Sequence, residues 1–491
     1  MVALLLGATS AAGQATGGPG QPAGTTAGSA KPAAAEAGPA ASLSASGEPP
    51  RLVADLPEPT DPQVLALREQ VRKLEEQLKQ DHDRLQALEQ EMPQVAAANE
   101  RIKKLEKTTK NLPEAADVVS AGDFPGSLRI PGTNAALKVG GQVRVILVDS
   151  LAPIGSDDRF VTSSIPVRGT ATAEQGARLA MTAIPSRFNF DVRSPSSVGD
   201  LRAFIEADFA GTNGTLRLRH AFAQRGLLLV GQTWSTFSDP EAEPDSIDFE
   251  GLNAISLFRP VQVRYTLPVA EKLTLAAALE NPKPEVTSAT GVSKLPDIVL
   301  RLRWDAGQAL GPFMRTVGHL QAAVVLRQLR AVPESMPDKA AFTPGYGLGL
   351  SGRLNTGWIF EGDDLTFSAY AGAGIGRYIT DLDTFGGQDA VFDPAGGSLE
   401  VLPVVAGYLG YEIGWTEKVR STLTAGWVQV SNLGIQAGDS LEKTLRGSAN
   451  VMWSPEPRLD FVVEFLGGKR WNKDGSSGVA NQLQVGGRYV F

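Results

Sequence analysis

Arginines at every second position are the side chains of this sequence best placed to act on a charged partner. Arg217-Leu218-Arg219 and Arg301-Leu302-Arg303 alternate guanidinium groups with leucine, and Arg187 and Arg193 bracket an alternation with Phe188, Phe190 and Val192. Arg144, Arg202, Arg264, Arg327 and Arg446 stand at matching positions among apolar neighbours. Successive side chains on a strand point to opposite faces, so these arginines are predicted to share one face. Acids of the same parity are fewer: Asp191, Glu206, Asp208, Asp460 and Glu464. Guanidinium stays charged and forks onto carboxylates, and rings of it select anions in a pore. The competing reading pairs each arginine with a neighbouring Asp or Glu, as stiffening of a wall. Catalytic chemistry has little to stand on. The chain has three His (His82, His220, His319), no Cys, and neither a G-x-S-x-G nor an H-E-x-x-H stretch. Thiol chemistry, disulfides and Cys-ligated zinc are excluded, and neither a metal nor a cofactor is predicted.

The elements that must carry these arginines are strands with one oily and one charged face. Between Ser186 and Ser235 the period-two pattern recurs across three connections. Leu201, Ala203, Ile205, Ala207 and Phe209 oppose Arg202, Glu206 and Asp208; Leu216, Leu218 and Phe222 oppose Arg217 and Arg219. The pattern continues to the last residue and gives sixteen strands, near 136–149, 177–193, 200–211, 214–225, 227–236, 259–268, 271–281, 296–305, 316–330, 345–355, 364–379, 399–415, 419–432, 441–453, 458–470 and 479–491. Short connections such as SPSSVG, PVAEK and SPEP alternate with long ones such as 150–176, 236–258 and 380–398. No run of 18 or more apolar residues offers a membrane-spanning helix. The predicted fold is therefore an all-β transmembrane protein, a 16-stranded antiparallel outer-membrane barrel at 135–491, oily outside toward lipid and polar within. Trp234, Trp304, Trp415, Trp453, Trp471, Tyr265 and Tyr489 near strand ends suit interfacial girdles. A net charge of −8 argues against nucleic acid as a partner.

Ahead of the barrel the composition changes three times. Residues 1–15 read as the remnant of a signal peptide, with Gly13-Gln14-Ala15 as a small-x-small cleavage candidate but no basic n-region. Residues 16–62 are Ala, Gly and Pro with few bulky side chains and are predicted to be a disordered linker. Residues 63–112 carry heptads with Val64, Leu67, Val71, Leu74, Leu78, Leu85, Leu88, Met92, Val95, Asn99 and Ile102 at core positions, and Asp81 as a polar exception. A 3.5-residue repeat sustained this long predicts a coiled coil, in which Asn99 sets register and Pro93 kinks or interrupts the helix. The alternative is one amphipathic helix packed on its own domain. Residues 113–134, punctuated by Pro113, Pro125 and Pro131, read as a second linker.

Several stretches resemble one family. They are Ser186-Arg187-Phe188-Asn189-Phe190-Asp191, Gly199-Asp200-Leu201-Arg202, Leu216-Arg217-Leu218-Arg219-His220-Ala221, Gly231-Gln232-Thr233-Trp234-Ser235, Asp248-Phe249-Glu250-Gly251 and Pro260-Val261-Gln262-Val263-Arg264-Tyr265. Together they resemble the DcaP-like trimeric outer-membrane porins, a dicarboxylate-channel family of Gram-negative bacteria. They cover the front half of the barrel; the back half matches in pattern more than in motif. The resemblance implies a homotrimeric porin in the outer membrane, with the coiled coil in the periplasm, passing small anionic solutes. It also implies that 236–258 is the third external loop, folded inward, so that Glu241, Glu243, Asp245, Asp248 and Glu250 would face the arginine wall across a constriction. His220 shares parity with Leu216 and Leu218 and is predicted to face outward. A polar group in lipid is expensive, so His220 is expected at a subunit contact. Peptidoglycan is a candidate partner of the coiled coil. The rival to a porin is structural: a coiled-coil envelope tether whose barrel is a plugged anchor.

Overall fold

The computed structural model describes residues 62–110, 120–197, 199–305, 316–334, 336–383 and 389–491. The signal-peptide and first-linker readings, and the start of the second linker, lie outside these residues. The chain divides into two units, Met1–Asn111 and Leu112–Phe491.

In the first unit, helix α1 spans Pro62–Lys110, 49 residues, or roughly 75 Å at about 1.5 Å per residue. It runs through Pro93 without a break, contrary to an interruption there. One missing hydrogen bond in a helix this long is outweighed by the propensity of its Leu, Glu, Lys and Gln on either side. The heptad positions lie open in the single chain: Leu74 is 63% exposed, Leu78 66% and Met92 67%.

In the second unit the chain forms sixteen antiparallel barrel strands. In chain order these are β1 (Ala136–Ser150), β2 (Arg178–Thr182 and Arg187–Ser194), β3 (Leu201–Asp208), β4 (Arg217–Arg225), β5 (Leu228–Gln232) and β6 (Val261–Ala270). They continue with β7 (Leu273–Glu280), β8 (Asp297–Trp304), β9 (Thr316–Val332), β10 (Ala341–Asn355) and β11 (Asp364–Ala373). β12 (Pro403–Gly414), β13 (Val419–Val430), β14 (Leu441–Glu456), β15 (Leu459–Asn472) and β16 (Ser477–Val490) complete the set. Each strand pairs with its neighbour, and β16 pairs with β1 from Gln142↔Val490 to Ser150↔Gln482, so the sheet closes. Phe491 and Gly141 exchange both backbone hydrogen bonds at the seam, at 3.0 and 3.1 Å.

The faces are inverted relative to a water-soluble sheet. Val143, Leu179, Ile205, Leu218, Val263, Leu300, Leu348, Leu409, Val451 and Phe465 are exposed on the outside. Gln142, Asp208, Gln262, Gln321, Thr366, Thr444, Glu464 and Gln482 are buried within. A hydrocarbon solvent removes the penalty on the outer face, and closure leaves no unpaired edge for that solvent to meet.

Two irregularities depart from the simple alternation. β2 is broken rather than continuous, because Pro185 has no N–H for the ladder. Ser186 repairs the gap: its Oγ accepts from Arg144 N at 3.0 Å and donates to Arg144 O at 3.2 Å. In β4 the register shifts, with Ala207 facing Leu218 and Glu206 facing His220. Arg219 is the extra residue of a bulge, and every side chain beyond it changes face. His220 and Phe222 therefore point inward with Glu206 and Phe204.

Candidate functional site

Inside the barrel, the segment between β5 and β6, called L3 here (residues 233–260), folds inward and is fastened to the far wall. The near end is tied by Glu280, whose carboxylate accepts from Thr236 N at 2.6 Å and from Ser235 Oγ at 2.8 Å. The middle is tied by distant strands. Asp239 accepts from Ser351 Oγ at 2.6 Å and pairs with His319 Nε2 at 2.9 Å. Burial raises the Asp239 pKa, but these hydrogen bonds outweigh it and hold the carboxyl below its ordinary value. Tyr408 Oη donates to Ala242 O, Ile247 N donates to Glu464, and Asn450 donates to Asp245 O. Gly410 and Gly426 make room for the loop. A Cβ on the first would lie 2.6 Å from Pro244 Cβ, and on the second 2.3 Å from Asn253 Oδ1.

Two other loops lock onto L3. Between β1 and β2, Phe160 N donates to Asp248 Oδ1 at 2.9 Å and Phe160 O accepts from Arg446 at 2.8 Å. Between β11 and β12, Thr380 N and Asp381 N donate to Ile255 O and Asn253 O. Asp381 Oδ1 in turn accepts from Ser163 N at 2.9 Å. A dry core that includes Phe237, Leu252, Ile255, Tyr378 and Val428 fills the space between these loops and the wall.

What stays open is a cavity of 950 Å³ between L3 and the β1–β5 wall. A second one of 430 Å³ adjoins it through the shared Gln142, Arg187, Glu206 and Arg488. On the wall, five guanidinium groups (Arg187, Arg193, Arg202, Arg217, Arg219) meet three carboxylates (Asp191, Glu206, Asp208), and Arg144 stands as a sixth beside them. Asp191 is forked by Arg202 at 2.9 and 3.0 Å and held by Arg193 at 2.7 Å. Asp208 is forked by Arg217 at 3.0 and 2.7 Å. Arg219 bridges Glu206 and Asp208 at 2.7 and 2.9 Å. On this wall carboxylates pin guanidinium groups, and the guanidinium groups outnumber the carboxylates. Arg187 lies only 3.7 Å from Glu206. Arg144 spends its donors on the carbonyls of Ser246, Ile247 and Asp248 rather than on a carboxylate.

A closed barrel of sixteen strands, inverted in polarity and narrowed by an inward loop, is the architecture of a porin. The profile of the DcaP outer membrane protein family matches residues 61–491. The chain belongs to the DcaP outer membrane protein family. The crystal structure of the outer membrane channel DcaP of Acinetobacter baumannii aligns with a TM-score of 0.64 at 23% identity, over 76% of this chain and 100% of that one. At that identity the likeness is one of fold. An anion-selective porin from Comamonas acidovorans aligns at 0.48 with 12% identity, over 73% and 100%. OmpT of Vibrio cholerae aligns at 0.44 with 12% identity, over 73% and 99%. A comparison with curated proteins finds no match.

Within this DcaP-family barrel the expected site residues are distributed unevenly. Arg144, Arg187, Arg202, Arg217 and Arg219 line the larger cavity. Arg193 is half-exposed and lies 4.3 Å over the Phe124 ring. Arg264, Arg301 and Arg303 face inward but outside that cavity, Arg303 being bound to Asp305 and to Glu241 of L3. Arg327 and Arg446 do not line a passage. Arg327 is clasped by Asp297 at 3.0 Å and Asp389 at 2.7 Å, Arg446 by Asp248 at 2.8 Å, and the inner loops cover both. His220 lines the cavity, its Nδ1 3.0 Å from Thr233 Oγ1. The bulge removes the outward parity on which a subunit contact rested. Trp234 lines the cavity too, instead of an interfacial girdle.

The L3 acids are also mostly matched. Asp245 pairs with Arg420 at 2.8 Å and Arg488 at 3.3 Å, Asp248 with Arg446, Glu250 with Arg159 at 3.7 Å and Glu241 with Arg303. A field across the constriction from all five is thus largely quenched. Glu243 is the exception among them, lining the cavity without an ion pair among the described residues. Burial pushes its carboxyl up to about 7, against the pull of Arg144 and Arg219. Loop arginines that strand parity does not reveal also line the cavity: Arg159, Arg259 and Arg377. Burial first, then the guanidinium groups of Arg219 and Arg217, lower the Arg259 pKa to about 9.

Proposed function

We propose that this protein is an outer-membrane diffusion channel for small anionic, dicarboxylate-like solutes, and not an enzyme. The observation that carries the reading is the surplus of guanidinium over carboxylate on the β1–β4 wall beside the 950 Å³ cavity. A dianion passing there exchanges water for forked charge-assisted bonds, and the carboxylates already on the wall keep those bonds weak enough to release it. L3 narrows the route, and Glu243 supplies a titratable negative charge opposite the wall. Liposome uptake of succinate-sized dianions should exceed that of neutral sugars of equal size; equal rates would refute the anion preference.

The open heptad face of α1 supports self-association, with the helix as a periplasmic coiled coil and the barrels as a homotrimer in outer-membrane lipid. Residues 1–15, 16–62 and 113–134 are then signal remnant and linkers, and peptidoglycan is a candidate partner of the helix. The dry core behind L3 favours a second reading, a plugged anchor on an envelope tether. Absence of conductance in a planar bilayer would select it.

A further inference from the structure

Polar residues hold most interior positions of the wall, but one patch breaks the rule. Phe204 and Phe222 occupy inward positions on β3 and β4, with ring centroids 5.5 Å apart. Trp234 stands beyond the end of β5, with the His220 ring edge-on at 5.3 Å. Phe258 joins from the returning end of L3. All four aromatic side chains are half-exposed on the cavity. Rings that face a cavity otherwise lined by polar groups offer a solute's apolar body a surface to cover.

Guanidinium groups lie over these rings. Arg259 is 4.4 Å above Trp234 and Arg377 is 4.0 Å above Phe258. Arg202 lies 5.2 and 5.4 Å from the Phe204 and Phe222 centroids. Arg202 already gives its N–H edge to Asp191, and Arg377 is buried with its Nη1 on Asn281 O, so Arg259 is the guanidinium of the three that can receive a carboxylate beside the rings. Arg259 has no carboxylate within ion-pair distance among the described residues, and burial, then the neighbouring Arg219 and Arg217, lowers its pKa. An aliphatic dianion would use only the N–H edges. A flat apolar body carrying a carboxylate would use the Arg259 edge and the exposed faces of the rings together.

We infer that this patch is a subsite for aromatic carboxylates, which travel along the wall by stacking as well as by charge. The inference rests on the anion-channel reading and adds a substrate class to it. Rings that only stiffened the arginines would favour no solute over another of equal charge.

The test uses the full-length channel in planar bilayers, with terephthalate and trans-cyclohexane-1,4-dicarboxylate as probes matched in charge and in carboxylate placement. Concentration-dependent interruption of the chloride current gives an apparent affinity for each. Aromatic contacts of this kind are expected to favour terephthalate by roughly threefold to tenfold. Trp234→Leu and, separately, Phe222→Leu should bring the two probes together. Equal affinities in the unaltered protein overturn the inference while leaving the anion channel standing. A preference that survives both substitutions overturns the placement of the subsite. If neither dianion interacts, the anion-channel reading fails as well.

Discussion

Asp248 ties L3 to a second loop and to two strands of the wall. Its carboxylate receives Phe160 N at 2.9 Å, Gln484 Nε2 at 2.7 Å and Arg446 Nη2 at 2.8 Å, joining two loops to β14 and β16. The Asp248 side chain is fully buried and that of Arg446 is 2% exposed. Asp248→Ala leaves a buried guanidinium without its counter-charge, which costs about 3–5 kcal/mol. At about 1.4 kcal/mol per decade, the equilibrium between docked and undocked loop shifts by roughly a hundredfold to a few thousandfold. Single-channel recordings should then show stepwise excursions to higher conductance that the unaltered channel lacks. Replacing both partners with apolar residues, Asp248→Leu with Arg446→Met, removes the unpaired charge and should return a quieter channel. Asp248→Ala recordings with unaltered conductance and noise would refute the idea that this buried pair holds the loops in place.

Three further outcomes follow from the same geometry. Lowering the pH from 8 to 6 protonates Glu243, whose carboxyl titrates at about 7, so the anion-to-cation permeability ratio should rise. Asp383, raised by burial and by Glu285 to about 6, contributes only toward the acid end, and Glu243→Gln should remove the upper part of the response. The stability linkage has the same sign: a raised carboxyl pKa favours folding at low pH, and that contribution is lost as pH rises through 7. Arg219→Gln frees Glu206 and Asp208 from one cation and should move the reversal potential toward the cation side, read in a potassium chloride gradient. The chain has no Cys, so Leu78→Cys, on the open heptad face, should give a disulfide-linked dimer band on oxidation if the helix self-associates; a monomer band alone would count against a coiled coil.

Strand parity made most of the barrel readable. Arg144, Arg187, Arg202, Arg217 and Arg219 face the lumen as alternation requires, because each strand presents one face to hydrocarbon and one to polar groups. Parity failed at His220 and Phe222, since a single extra residue at Arg219 reverses every later side chain and leaves the composition unchanged. It also failed to separate open from covered lumen. Arg327 and Arg446 have the right face, but Asp389 and Asp248, 62 and 198 residues away, reach in to cover them. Arg259 and Arg377 belong to loops, where no periodicity marks a direction. Pro93 does not end its helix, because loss of one backbone bond is outweighed where many turns on each side support it.

The reversal potential of the purified channel under a potassium chloride gradient reads its preference between anion and cation. A guanidinium-rich wall predicts a potential of the sign set by chloride passing faster than potassium, strengthening at low salt where screening is weakest. A potential of the opposite sign would contradict the account.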